Sequence, residues 1–367
     1  MKKTLSILLV VLLCGSVAFA KGDSEKGSYD STYDATRIAV VYSSFTDQLV
    51  SEFKGSLESL APYFNVDFVF VETGFNTEEG TAKIDALFQT KLDGVIIVAP
   101  TVANLETASK QNIPVIALNE AVDEQTKKQL HTYKNYLGGV VNDDYAIGYK
   151  SAYSLYEAGC RKICVSYLTP GTSKNHGDRY VGFMAAIKEL PDMKVLTESA
   201  SRAQWPAAIN TFSAAFPEMD GLFSTAFSEP AYQAIKKNGL IGKVKVATAD
   251  ISESTVDYIE NGTVISIFGG QYNKIMLAFA ALYNYIYDGT RILDPLGGYS
   301  YTPFIQITNA KDYSVYTKYV TGGDSWVYTP QTIESLIIGK NPEMTSAKFD
   351  EFARSYSIAQ VIAARSK

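Results

Sequence analysis

Histidine and cysteine are scarce: the 367 residues hold two His and three Cys. None stands at ligand spacing, so no metal site is signalled and no cofactor is expected. The catalytic signatures are missing too, with no Gly-x-Ser-x-Gly elbow, no His-Glu-x-x-His and no Gly-rich phosphate loop. Two histidines, both expected in loops, leave little for a nucleophile relay, and the chain is not expected to be an enzyme. There is no basic stripe, and a net charge of -6 argues against a phosphate-backbone partner, which excludes nucleic acid. The apolar run Leu5 to Leu13 is too short to span a bilayer.

That run belongs to a leader instead. Lys2 and Lys3 precede it, and Ala18-Phe19-Ala20 supplies a small-x-small cleavage site before Lys21. The protein is therefore expected to be exported to the periplasm, soluble and monomeric. Cys14 offers a rival reading as a lipid anchor, but bulky Leu13 stands where lipoprotein boxes want Gly or Ala, which favours plain cleavage after Ala20. Residues 21–36 are polar and Gly/Ser-rich, a linker. Of the remaining cysteines, Cys160 falls at a helix end and Cys164 inside a strand. An extended chain holds their Cα atoms about 10 Å apart or more, so two buried thiols are expected rather than a disulfide.

What the sequence does have is a repeated strand-helix grammar. Val95 to Val98 is apolar, β-branched and short, hence a buried strand, and Pro100 stops it. Thr101 is placed to cap a helix running to about Gln111, with Val102, Leu105 and Ala108 at helical spacing. A second buried strand, Pro114 to Leu118, ends abruptly at Asn119-Glu120. Polar residues thus collect past the carboxyl ends of strands, where open α/β sheets bind ligands. Before this unit, Ile38 to Tyr42 and Val66 to Val71 read as strands, with a helix presenting Leu49, Phe53, Leu57 and Leu60 between them.

After it the grammar restarts. Gly138 to Val141, Ile163 to Tyr167, Met193 to Leu196, Leu222 to Thr225, Val244 to Ala247 and Val264 to Phe268 are strands, and Tyr180 to Leu190 is a helix burying Phe183, Met184 and Ile187. Two parallel sheets in succession, each covered by helices on both faces, predict an α/β chain of two doubly wound lobes. At 46% hydrophobic residues, the length suffices for two cores. Phe304 to Ile307 is one more strand; beyond it come many tyrosines and two short helices, Thr332 to Ile338 and Ser346 to Ser355, an appendage whose purpose is not legible.

The order of Ala99-Pro100, Ile113-Pro114-Val115, Asn119-Glu120, Val141-Asn142-Asp143-Asp144-Tyr145 and Arg179-Tyr180-Val181-Gly182-Phe183 resembles the ribose-type periplasmic sugar-binding proteins, whose type I fold the lac repressor core shares. The resemblance covers Arg37 to Ile307. It implies two lobes, residues 37–141 with 272–302 and residues 142–271 with 303–310, joined by a three-segment hinge and followed by a C-terminal extension, 311–367. It further implies hinge closure on a small polar ligand, sugar-like or nucleoside-like, with an ABC permease or a chemoreceptor as partner.

Carried over residue by residue, the resemblance makes Asn119, Asn142, Trp205, Phe227, Asp250 and Gln271 ligand contacts, with Asp250 and Gln271 matching the family outright. Each has a plainer alternative. Trp205, before Pro206, would staple a helix start; Phe227 would be core; Asp250 would cap the helix near Ser252; Asn119 and Asn142 would make Asx turns. Glu120 stands where the family has an arginine and Gly177 where it has the partner arginine, so ribose itself is not the expected ligand. If Glu120 faces the cleft, it favours a ligand with an amine or many donors. His176 is read as a loop surface residue, with ligand contact as the alternative, and Arg179 as an ion-pair brace. Leu49, with Thr46 and Gln48, replaces the family's Asn and paired Phe. A nucleoside-binding lipoprotein of the same architecture is the nearest alternative, and an exported enzyme using Glu120 with Asp250 is the rival from another class.

Overall fold

The computed structural model describes residues 35–365, apart from 47, 75, 99, 120–122, 170, 172, 202–203, 253 and 322–325. The leader, Cys14, most of the linker and the two residues Ala99 and Glu120 therefore lie outside the described residues. Among the described residues, twelve strands form two six-stranded sheets.

The first sheet begins with β1 (Thr36–Tyr42), α1 (Gln48–Phe64), β2 (Val66–Glu72), α2 (Thr77–Leu87), β3 (Gly94–Val98), α3 (Val102–Lys110), β4 (Val115–Asn119), α4 (Glu124–Leu130) and β5 (Tyr136–Asn142). The signals read from the sequence act here as expected. Thr101 forms a capping box with Asn104 at the start of α3, and Asn112 takes a left-handed φ of 54° just past its end. The strands are Val/Ile-rich and buried because helices cover both faces, as a parallel sheet requires.

The chain then crosses to the second sheet through α5 (Asp144–Glu157), β6 (Lys162–Leu168), α6 (Lys174–Ile187), β7 (Lys194–Ser201), α7 (Trp205–Ala215), β8 (Gly221–Ser224), α8 (Glu229–Lys237), β9 (Lys245–Ala249), α9 (Thr255–Glu260) and β10 (Val264–Gly269). It returns through α10 (Asn273–Asp288) to β11 (Tyr299–Thr302), and crosses again to β12 (Ile305–Ile307). The sheet orders are β11-β5-β4-β3-β1-β2 and β12-β10-β9-β8-β6-β7, all parallel except β12, which runs antiparallel to β10. This is a two-lobed α/β architecture with three crossings between the lobes among the described residues. β11 escaped the sequence reading because Tyr-Ser-Tyr-Thr has no apolar run; it forms only by pairing with finished β5.

Two helices fix the second lobe to the first crossing. Helix α6 starts at Lys174, six residues before the expected Tyr180, and packs closely on α5. A Cβ on Gly182 would lie 2.1 Å from the carbonyl oxygen of Tyr145, so only glycine permits this approach. Phe183, next in sequence, stacks on Phe223 at 4.1 Å. Cys160 and Cys164 are free and buried, as expected for two packed thiols.

The C-terminal segment holds α11 (Ala310–Tyr316), a π-helical turn at Thr317–Thr321, α12 (Pro330–Glu334), α13 (Ser346–Arg354) and α14 (Ile358–Arg365). Helices α11 and α14 were not foreseen, and α12 is shorter than expected. No helix among the described residues is long and apolar enough to cross a membrane.

Candidate functional site

The carboxyl ends of both parallel sheets carry the polar residues of interest, the place where the chain leaves a strand and its last backbone groups are free to meet a ligand. A cavity of about 260 Å³ opens there. Leu49 lines it from α1 of the first lobe, Asp250 and Ile251 from the end of β9 in the second, Gly269 and Gln271 from the second crossing, and Tyr316 from α11.

Asp250 is the singular residue of this cavity. Its backbone is left-handed, φ 72°, a costly conformation for a residue with a Cβ, and its N–H donates to Phe268 at 2.9 Å. It does not cap α9, whose N-cap is Ser254. The residue is exposed, yet enough protein surrounds its carboxylate that desolvation pushes the pKa up; Arg179 and Lys274 oppose this and Asp144 reinforces it. Gln271, 8% exposed, follows Gly270 in the turn between β10 and α10.

Behind the cavity is a group of balanced charges. Arg179 donates through Nε to Asp144 Oδ1 at 2.7 Å and through Nη1 to the carbonyl of Thr225 at 2.7 Å, with its guanidinium 5.3 Å from the Phe304 ring. Burial pushes the Asp144 carboxyl up, and Arg179 and Lys274 counter it. Lys274, in the first turn of α10, is fully buried with its ammonium 5.4 Å from the Phe53 ring. Two carboxylates and two cations thus share one neighbourhood.

His176 extends this group and corrects the sequence reading, for it lies in the first turn of α6 and not in a loop. Its Nδ1 is 3.0 Å from the Thr225 hydroxyl and its ring stacks with Trp205 at 6.4 Å. Burial, with a smaller effect from Arg179, lowers its pKa to about 3, so it is neutral at physiological pH. The second histidine, His131, lies as expected outside the helices, in the turn that caps the C-terminus of α4.

Trp205 opens α7 and is buried, as is Phe227, which packs edge-on against Tyr232 at 4.8 Å. The Phe227 N–H donates to the carbonyl of Ala249, the residue before Asp250, at 3.2 Å. Asn142 ends β5 opposite Thr302; it is 5% exposed and neither amide atom meets a hydrogen-bond partner. Asn119 ends β4 beside Val141, in the other lobe from Asp250. Glu120 lies outside the described residues, as does any pairing of it with Asp250. The geometry therefore brings Asp250, Gln271 and Leu49 around one cavity, and links His176 and Arg179 through Thr225, with Trp205 stacked on His176.

Asp144, Lys274 and Tyr316 were missed by sequence reasoning. Lys274 left a trace, a lone charge beside the apolar stripe Ile275, Phe279, Leu282. Tyr316 left none, since nothing local couples it to residues 250 or 271. Among the described residues no group of three or more His, Cys, Asp or Glu side chains is placed to hold a metal ion.

Comparison with known proteins now adds to this geometry. The family described as "Periplasmic binding protein domain" matches residues 38–289. Among solved structures, an ABC transporter periplasmic solute binding protein from Actinobacillus succinogenes 130z with bound D-allose is 19% identical, with 77% of this chain and 100% of that chain covered and a TM-score of 0.67. A periplasmic sugar-binding protein from Pseudomonas fluorescens superposes with a TM-score of 0.70 at 13% identity, covering 89% of this chain and 99% of that one. A periplasmic ribose ABC transporter from Conexibacter woesei DSM 14684 gives 0.67 at 15% identity over 80% and 97%. At such identities the likeness shows the fold alone. No curated protein matches.

Proposed function

The chain belongs to the periplasmic binding protein family and has its ribose-type, two-lobed fold, and from that premise we propose that it is an exported receptor for a small polar ligand, a sugar or sugar-like metabolite, serving an ABC importer. Residues 37–141 with 272–302 form one jaw, residues 142–271 with 303–310 the other, and the hinge closes them on the ligand. The carrying observation is the cavity lined by Leu49 from one lobe, Asp250 from the other and Gln271 from the second crossing.

Two further features support the ligand class. Asp250 and Gln271 offer hydroxyl acceptors and an amide that both donates and accepts. Asp144 and Asp250 balance Arg179 and Lys274 in charge, which suits a neutral, hydroxyl-rich ligand better than an ion. Asn142, buried without a hydrogen-bond partner, is the residue of the first crossing with most to gain from a ligand hydroxyl. Trp205 and Phe227 are the aromatic walls of the second lobe, and Asn119, the last residue of β4, belongs to the first. The leader supports export, and the family consists of binding proteins.

Calorimetry against a panel of pentoses, hexoses and nucleosides tests this reading. One-to-one, saturable binding of a sugar, lost in Asp250→Ala and Gln271→Ala, is expected. Preference for a nucleoside would move the chain to the nucleoside-binding branch of the same architecture, and turnover of a bound sugar would establish an enzyme.

A further inference from the structure

The family match ends at residue 289, and about a fifth of this chain stays outside two of the solved structures that it resembles, while a third covers 89% of it. The C-terminal segment lies beyond the family match. Its path is informative. It leaves β12 in the second lobe, where α11 packs on α9 and the Tyr313 hydroxyl donates to the Ser252 carbonyl at 3.4 Å. It then ends on the first lobe. There the Tyr63 hydroxyl donates to Glu334 at 2.6 Å, the Asn284 amide donates to Leu336 at 3.0 Å and accepts from Ile338 N–H at 2.8 Å, and the Ser300 hydroxyl donates to Asp350 at 2.8 Å.

Between these anchors the segment grips the second crossing. Gly270 has a φ of 75°, and a Cβ there would lie 2.7 Å from the Tyr316 ring and 3.3 Å from Val320. The Tyr356 hydroxyl donates to the Gly270 carbonyl, the Tyr316 hydroxyl bonds to Tyr272 and the Tyr328 hydroxyl meets the Asn273 side chain. Tyr316 also forms a wall of the cavity that holds Asp250 and Gln271. Three tyrosines, all buried, thus converge on the backbone that has to twist when the lobes move.

We propose that the C-terminal segment is a fourth connection between the lobes, which restrains hinge opening through Tyr316 and Tyr356 packed on Gly270 and seals the hinge side of the ligand cavity with the Tyr316 ring. A hinge works by concentrating backbone rotation in a few residues. Here those residues are clamped by side chains carried on both lobes, so the chain opens less than three bare crossings would allow. The consequence for ligand capture rests on the receptor reading; the restraint itself does not.

Interlobe distances in the ligand-free protein test it. Lys110 at the end of α3 and Lys236 in the last turn of α8 are exposed, and both helices start at the cleft and finish far from it, so labels there report opening with long levers. Cysteines introduced at both positions, in a Cys14→Ser background, accept spin labels while the buried native thiols do not. The parent is expected to give one narrow distance distribution. In Tyr356→Phe and Tyr316→Ala that distribution is expected to broaden and shift to longer distance by several ångströms, while a label pair placed within the second lobe stays unchanged. Tyr356→Phe removes one hydroxyl and keeps the packing, so it decides the matter if Tyr316→Ala fails to fold. An interlobe distribution identical to the parent's in Tyr356→Phe, and in Tyr316→Ala where it folds, overturns the restraint. Absence of ligand binding in the calorimetric panel, with distances that do respond, overturns only the receptor reading.

Discussion

Arg179 and Asp144 form an ion pair at 2.7 Å with side-chain exposures of 5% and 3%, and it joins α6 to the first residue of α5, immediately after the chain crosses between lobes. Taking both charges out of water costs several kcal/mol per ion, which close geometry and the further bond to Thr225 offset. Removing one partner strands the other. Arg179→Met is expected to lower the stability of the second lobe by about 3–5 kcal/mol, and Asp144→Leu with Arg179→Met to recover most of that loss. Urea denaturation followed by lobe-specific fluorescence checks it; equal stability of the single and double variants would show the pair to be ornamental.

Asp250 pays a backbone penalty for its place in the cavity. A non-glycine residue held at a left-handed φ costs on the order of 1 kcal/mol or more, and glycine adopts it freely. Asp250→Gly is therefore expected to raise the melting temperature slightly while abolishing ligand binding. A variant that keeps full affinity would remove Asp250 from the site.

His176 gives the protein an acid-sensitive contribution. Its folded pKa, about 3, lies below the ordinary 6.5 of the unfolded chain, so the unfolded state binds the extra proton first. Its stabilising effect is complete above pH 6.5 and is lost progressively as pH falls from there toward 3. His176→Gln should accordingly show a shallower fall in melting temperature between pH 6.5 and 4 than the parent. Parallel curves would mean that His176 takes up its proton over the same pH range folded and unfolded.

Cys160 and Cys164 are expected to resist alkylation at pH 8. Burial raises the Cys160 thiol to about 11 and the Cys164 thiol to about 12, so the reactive thiolate is rare as well as hidden. Iodoacetamide labelling followed by mass spectrometry should show both unmodified in native buffer and both modified in denaturant.

Local patterning made most of the fold legible. Val95 to Val98, Thr101 with Asn104, and Ile275 with Phe279 and Leu282 each state their secondary structure within one strand or one turn, because hydrophobic period and capping are short-range. The motif Arg179-x-x-Gly182-Phe183 also carried its own physics, an ion pair, a close helix contact and a ring stack, once α5 was beside it. Strand β11, the true start of α6 and the helical place of His176 were not legible, since each depends on a partner supplied from elsewhere.

Sequence by itself determined that this chain makes two parallel, helix-covered sheets and that polar residues gather at the ends of their strands, because burial and periodicity act between neighbours along the chain. Only the tertiary structure decided that Leu49, Asp250, Gln271 and Tyr316, spread over more than 260 positions, face one cavity, and that the tyrosine-rich tail clasps Gly270. Such juxtapositions follow from how lobes and crossings pack in space, where close approach between distant segments is set by the whole core and leaves no periodic mark on either segment.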